Sequence, residues 1–129
     1  MELGEEEVEQ PKVLIVDDLS FMRGLLRDIL GKNGFPVIEE AENGKAAVEK
    51  YYRFRPDLVL LDITMPVMDG LTALNQIIRF DGKARVIICS SLGQQKYVIR
   101  AIQLGAKDFV VKPFTEERIV SALQKALLR

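Results

Sequence analysis

The sequence predicts a doubly wound α/β fold, with helices on both faces of a five-stranded parallel sheet, on three observations. Five short apolar runs alternate with five longer stretches in which apolar residues recur every three or four positions. The first, third and fourth runs are unbroken by polar residues, as strands covered on both faces require. At 129 residues and 48% hydrophobic, the chain suits one core of ordinary domain size. A β-α-β alternation in one sheet implies parallel strands and right-handed crossovers.

Each element has its own signal. Residues 13–16 form the first strand, and residues 20–33 the first helix, with Met22, Leu25, Leu26, Ile29 and Leu30 on one face. Ser20 is a candidate N-cap, and Asn33-Gly34 can end the helix in a left-handed conformation. The second strand, 37–41, carries Glu39 and Glu40, which suits an edge of the sheet. A helix at 44–54, a strand at 58–61 and a helix at 70–80 follow, the last with Asp69 as candidate N-cap. The fourth strand at 86–89, a helix at 94–104, the fifth strand at 109–111 and a helix at 115–128 capped by Thr115 complete five βα units.

Residues 1–11 contain five glutamates (Glu2, Glu5, Glu6, Glu7, Glu9) and no base, and read as a solvated acidic tail before a folded body at 12–129. With 18 Lys+Arg and 19 Asp+Glu in the whole chain, setting those five aside leaves the body at +4.

Absences narrow the function. Without histidine there is no Ser-His-Asp or Cys-His catalysis, no imidazole base and no histidine metal ligand. The one cysteine, Cys89, lies in an apolar run, which excludes internal disulfides and thiolate zinc sites and points to a buried, inert thiol. No apolar run approaches the roughly 18 residues that a membrane span needs. The acidic start lacks the features of a secretion signal, so the cytoplasm is the expected compartment. A near-neutral chain gives no support for nucleic-acid binding. Lys96, Arg100 and Lys107 are expected as a solvated basic stripe on the fourth helix, and Met22, Met65 and Met68 as flexible core filling.

The polar residues that end the strands are particular: Asp17-Asp18 after the first, Asp62 after the third, Ser90-Ser91 after the fourth and Lys112 after the fifth. Ligands of open α/β sheets bind beyond the carboxyl ends of the strands, where strand order reverses. If the order is 2-1-3-4-5, the contributing strands are neighbours about 4.8 Å apart and these side chains converge. Three clustered carboxylates repel one another unless a cation sits among them. Lys112 supplies one positive charge and a divalent ion would bring the sum to zero. Ligands that are all oxygen select a hard cation, and carboxylates with water and phosphate favour Mg²⁺. Such equipment suits phosphoryl transfer, yet neither GxxxxGK[ST] nor GxGxxG is present to cradle a nucleotide. The phosphoryl group would come from elsewhere, and Asp62, on the central strand, is the best-placed carboxylate to accept it.

Val16-Asp17-Asp18, Asp62-Ile63-Thr64-Met65-Pro66-Val67-Met68-Asp69-Gly70, Ser90 and Phe109-Val110-Val111-Lys112-Pro113-Phe114, taken in order, resemble the receiver domain of two-component response regulators. The resemblance extends from Lys12 to the C-terminus. It implies a flavodoxin-like (βα)5 fold with strand order 2-1-3-4-5. It also implies Asp62 as phosphoacceptor, Asp18 as direct Mg²⁺ ligand, Asp17 acting largely through water, and the Thr64 carbonyl completing the metal set. Lys112 would contact one phosphoryl oxygen and Ser90 would donate its hydroxyl to another. Phe109 matches an aromatic switch position and, lacking a phenol, can signal only by burial and packing. The Lys112-Pro113 peptide would be cis.

The resemblance further implies a histidine kinase as donor and a protein target on the surface of the fourth helix, fifth strand and fifth helix, with a phosphatase as a possible third partner. It implies a signalling domain that promotes only its own phosphorylation and dephosphorylation. Asp17-Asp18-Leu19-Ser20-Phe21-Met22-Arg23, Asp62-Ile63-Thr64-Met65-Pro66 and Ser91-Leu92-Gly93-Gln94-Gln95 look most like the chemotaxis branch, whose target is the flagellar switch. Alternatives are a sporulation-type relay, a receiver excised from a longer regulator and, from another class, an aspartyl-phosphate phosphatase of haloacid-dehalogenase type. That phosphatase family wants Asp-x-Asp after the first strand, where this chain has an adjacent pair. A flavodoxin-like FMN binder would need a hydroxyl-rich loop where Asp17 and Asp18 stand.

Overall fold

The computed structural model describes residues 10–128, so the glutamates of the expected tail lie outside the described residues, while Pro11 is buried. The elements are β1 (Lys12–Val16), α1 (Ser20–Lys32), β2 (Val37–Ala41), α2 (Gly44–Phe54), β3 (Leu58–Leu61), α3 (Gly70–Phe80), β4 (Val86–Ser90), α4 (Gln95–Gln103), β5 (Asp108–Val111) and α5 (Glu116–Leu127). The strands form one sheet in the order β2-β1-β3-β4-β5, every neighbouring pair parallel. The glutamate-bearing β2 is an edge, as its composition predicts.

Alternation along the strands divides the apolar side chains between two layers. Leu14, Val16, Val59, Leu61 and Ile88 pack with Ala47, Val48, Ala73, Leu74, Ile77 and Ala101 from α2, α3 and α4. Val13, Ile15, Leu58, Leu60, Ile87 and Cys89 pack with Leu26, Ile29, Leu30, Ile119, Ala122 and Leu123 from α1 and α5. Burial pushes the Cys89 thiol up to about 12, which keeps it protonated and unreactive at neutral pH. Met65 is buried, and Met22 and Met68 pack against the two layers as filling.

The caps are partly as the sequence predicts. Asp69 Oδ1 accepts from Thr72 N (2.8 Å) and Thr115 Oγ1 from Arg118 N (3.1 Å). Gly34, at φ +89°, supplies the left-handed stop after α1. Ser20 does not cap: Leu19 occupies the N-cap with no side-chain bond, and Ser20 is already helical. The reason is local, because Asp17 Oδ1 accepts the Leu19 N–H (3.0 Å) and turns the chain before Ser20 is reached. Asn43 is the cap that sequence reasoning overlooked, its side chain accepting from Ala46 N (2.8 Å). Lys107 is not on the fourth helix either. Past Gln103 the chain turns through Gly105 at φ +111°, and Lys107 N donates to Val86 O (2.8 Å) at the start of β5.

Two glycines hold the loop after β3 close to the sheet. Gly70 N donates to Ile63 O (2.7 Å), and a Cβ built there would lie 1.8 Å from the Asp62 carbonyl oxygen. Gly44 N donates to Met68 O (2.9 Å), where a Cβ would fall 2.4 Å from the same oxygen. No other residue permits these approaches, so both glycines fix the path of the segment that begins at Asp62.

Candidate functional site

Register brings the acids together. Val16 pairs with Leu61, so the next residues, Asp17 and Asp62, leave the sheet side by side. Asp62 N donates to Val16 O (3.0 Å) and Asp17 N to Ala41 O (3.2 Å), which continues the ladder one step beyond the strands. On the other side Ser90 pairs with Val111, and Lys112 N donates to Ser90 O (2.9 Å). The Lys112–Pro113 peptide is cis, as the resemblance implies. From there the lysine reaches back over the strand ends: Nζ lies 2.7 Å from Asp17 Oδ2 and 3.5 Å from Asp62 Oδ2.

Asp17, Asp18 and Asp62 each offer a carboxylate oxygen, all within 4.8 Å of one another. Asp17 (1% exposed) and Asp62 (7%) are buried, whereas Asp18 faces solvent at the mouth of the cluster. Asp62 Oδ1 accepts from Ile63 N (2.8 Å), which orients its carboxylate. Burial pushes the Asp62 carboxyl above the ordinary range; the Lys112 charge and the Ile63 N–H oppose this, and the Asp17 charge adds to it. Burial alone would lower Lys112, but its bond to Asp17 and the charges of Asp62 and Asp17 outweigh that and hold the ammonium above its usual value. Lys112 is therefore a fixed cation.

The remaining predicted site residues differ in where they lie along the strand ends. Ser90 is fully buried at the same end of the sheet, and its Oγ accepts from Leu92 N (3.1 Å). Its hydroxyl proton stays available to a further acceptor. Thr64 follows Asp62 by two residues in the same loop and is exposed. Phe109 is 8% exposed and packs in the layer beneath α2, α3 and α4, so its ring is already inward here.

Sequence reasoning missed two participants. Arg23 Nη1 donates to the Asp17 carbonyl (2.7 Å), and its Nε donates to Glu40 Oε1 (2.8 Å) on the edge strand. The only sequence signal was a glutamate pair on an edge strand and a base one turn into α1, which suggests solvation before it suggests contact.

The fold and this cluster together define a phosphoryl-accepting signalling domain of the two-component type. Residues 13–124 match the response regulator receiver domain, and the chain belongs to that family. It is CheY-like within it. The chemotaxis protein CheY of Bacillus subtilis (strain 168) is 60% identical over 116 residues, covering 90% of this chain and 97% of that protein. The CheY of Thermotoga maritima is 54% identical over 114 residues, covering 88% of this chain and 95% of that protein. A chain of the CheX-CheY-BeF3-Mg²⁺ complex from Borrelia burgdorferi superimposes with a TM-score of 0.88 at 41% identity, covering 92% of this chain and 90% of that chain. Among the described residues no helix is long and apolar enough to cross a membrane.

Proposed function

We propose that this chain is a chemotaxis receiver in which Asp62 accepts a phosphoryl group from a histidine kinase and the α4-β5-α5 surface reports the event to a protein target. The observation that carries the reading is the placement of Asp62: buried at the end of the central strand, oriented by Ile63 N, with Lys112 Nζ 3.5 Å away and two further carboxylates within 4.8 Å. An Asp62 oxygen forms the new O–P bond while the P–N bond to the kinase imidazole breaks, and the leaving nitrogen keeps the electron pair. Lys112, fixed by Asp17, is held ready for one phosphoryl oxygen.

The donor set fits a magnesium ion. All three side chains are hard oxygen ligands, and their charge with Lys112 sums to −2, which one divalent ion cancels. Asp18 would bind it directly, Asp17 largely through water, with Asp62 and the Thr64 carbonyl completing the set. When bound, the ion neutralises charge on the carboxylates and on the phosphoryl oxygens. All the residues named in this chemistry lie in the folded body at 12–129.

Phosphorylation takes Asp62 from −1 to about −2 and creates a demand for one more donor. Ser90 supplies it by swinging its hydroxyl from Leu92 N towards the phosphate. Because Phe109 is already inside, the phosphorylated state holds it there, and the target is selected by its preference for that arrangement. We assign the flagellar switch as target, a phosphatase as the partner that ends the signal, and the cytoplasm as the compartment; relatives bearing the chemotaxis name support this branch. Ser90→Ala protein should still take up phosphate but show a smaller gain in target affinity on adding beryllofluoride; an undiminished gain would remove Ser90 from the link.

The reading is tested by mixing the protein with Mg²⁺ and a small-molecule acyl phosphate. A base-labile carboxyl phosphate mapping to Asp62, absent when EDTA is present, is the expected product. Stable phosphorylation at a hydroxyl, or none at all, would overturn it.

A further inference from the structure

We propose that Arg23 is a positioning residue for the acidic cluster: anchored on Glu40, its guanidinium holds the Asp17 carbonyl and thereby aims the Asp18 carboxylate. This rests on the reading of Asp18 as a metal ligand.

Asp18 is the exposed member of the cluster, and no described contact holds its side chain, so its direction depends on its backbone. Both flanking peptide groups are pinned. The Asp17–Asp18 peptide presents its carbonyl to Arg23 Nη1 (2.7 Å), and the Asp18–Leu19 peptide presents its N–H to Asp17 Oδ1 (3.0 Å). The second bond is made by the site itself, whereas the first comes from outside it.

Arg23 can serve as that outside support because it is itself fixed. Its Nε pairs with Glu40 Oε1 at 2.8 Å, and Glu40 Oε2 is taken by Arg27 Nε at 2.7 Å. Lys50 Nζ donates to the Glu40 backbone carbonyl and lies 3.6 Å from Glu39 Oε1. Burial pushes the Glu40 carboxyl up, but the bonds and charges of the two arginines outweigh it and hold the group ionised below its usual range. The next residue along the edge strand, Ala41, accepts the Asp17 N–H (3.2 Å), so Asp17 is tied to β2 by its own backbone and through Arg23. A cavity of about 280 Å³ lined by Arg23, Glu40, Ala41, Glu42, Ala46 and Lys50 flanks this pair.

Charge and geometry predict opposite signs, which makes the proposal decidable. Removing a cation bound to the Asp17 carbonyl would, by charge alone, tighten Mg²⁺ binding. Loss of a group that orients a ligand weakens it, by about 10-fold at the low end of the range for residues supporting a ligand. The experiment is calorimetric titration of Mg²⁺ into metal-free protein, with melting of the metal-free state followed in parallel.

Arg23→Ala should bind Mg²⁺ about 10-fold more weakly. Arg23→Lys should be weakened too, since a point ammonium keeps the charge but cannot bridge the Asp17 carbonyl and Glu40 together. Glu40→Ala, which releases the anchor, should be weakened, and Glu40→Gln, which still accepts from Nε, should restore binding. Unchanged or tighter binding in Arg23→Ala overturns the proposal. If that variant fails to fold, equal affinities in Glu40→Ala and Glu40→Gln overturn it. Asp18→Asn is the control. Lost binding there with full binding in Arg23→Ala defeats the positioning role alone, whereas wild-type binding in Asp18→Asn defeats the ligand reading and the proposal with it.

Discussion

Asp62→Asn protein is expected to incorporate no phosphoryl group, from kinase or from small donors, while keeping its fold. Asparagine matches the shape of aspartate and can still accept the Ile63 N–H, but its amide oxygen carries no charge with which to attack phosphorus. Asp17 and Asp18 do not substitute, because Asp17 Oδ2 is occupied by Lys112 and its Oδ1 by Leu19 N, while Asp18 stands at the exposed mouth. Incorporation at the wild-type rate would remove Asp62 from the role.

The same variant carries a signature in stability. The folded-state pKa of Asp62 lies above its unfolded value, so the folded protein binds more protons than the unfolded chain across that window, and stability falls as pH rises through it. The ionised carboxylate is thus a destabilising group at neutral pH. In chelated buffer, Asp62→Asn should melt higher than wild type at pH 7, and the advantage should vanish as pH falls below the ordinary aspartate range. A difference that persists into acid would mean that packing, not charge, is responsible.

Asp18→Asn is expected to lose at least about 10-fold in Mg²⁺ affinity, since groups that merely support a ligand are already worth 10- to 100-fold. A tenfold loss removes about 1.4 kcal/mol of metal-linked stabilisation at saturating ion. Without metal the variant should be as stable as wild type or more so, because a like charge has left a cluster whose members lie within 4.8 Å. Melting with and without Mg²⁺ separates the two effects. An increment equal to that of wild type would show that Asp18 does not hold the ion.

The proximity of these groups was largely legible in the sequence. Asp17-Asp18, Asp62, Ser90 and Lys112 each end an apolar run, and a parallel sheet brings all carboxyl ends to one side. The edge position of β2 was legible for the same kind of reason, since Glu39 and Glu40 suit no strand covered on both faces. Less was visible where a local choice competed with a neighbour. Ser20 has the chemistry of an N-cap, but the Asp17 side chain turns the chain one residue earlier. Lys107 has the spacing of a helical stripe, but Gly105 ends the element before it.

What the sequence by itself determined is therefore the alternation of elements, the two-sided burial of β1, β3 and β4, and the identities of the groups at the strand ends. Periodicity and residue chemistry are local properties, readable without knowing what lies opposite. Only the tertiary structure decided which Asp17 oxygen Lys112 takes, that Phe109 already lies inward, and that Arg23 joins the Asp17 carbonyl to Glu40 across the gap between α1 and the edge strand. The physical reason is common to all three. Each contact joins elements brought together by strand order and register, and a long side chain chooses among several reachable partners only when the backbone has fixed their distances.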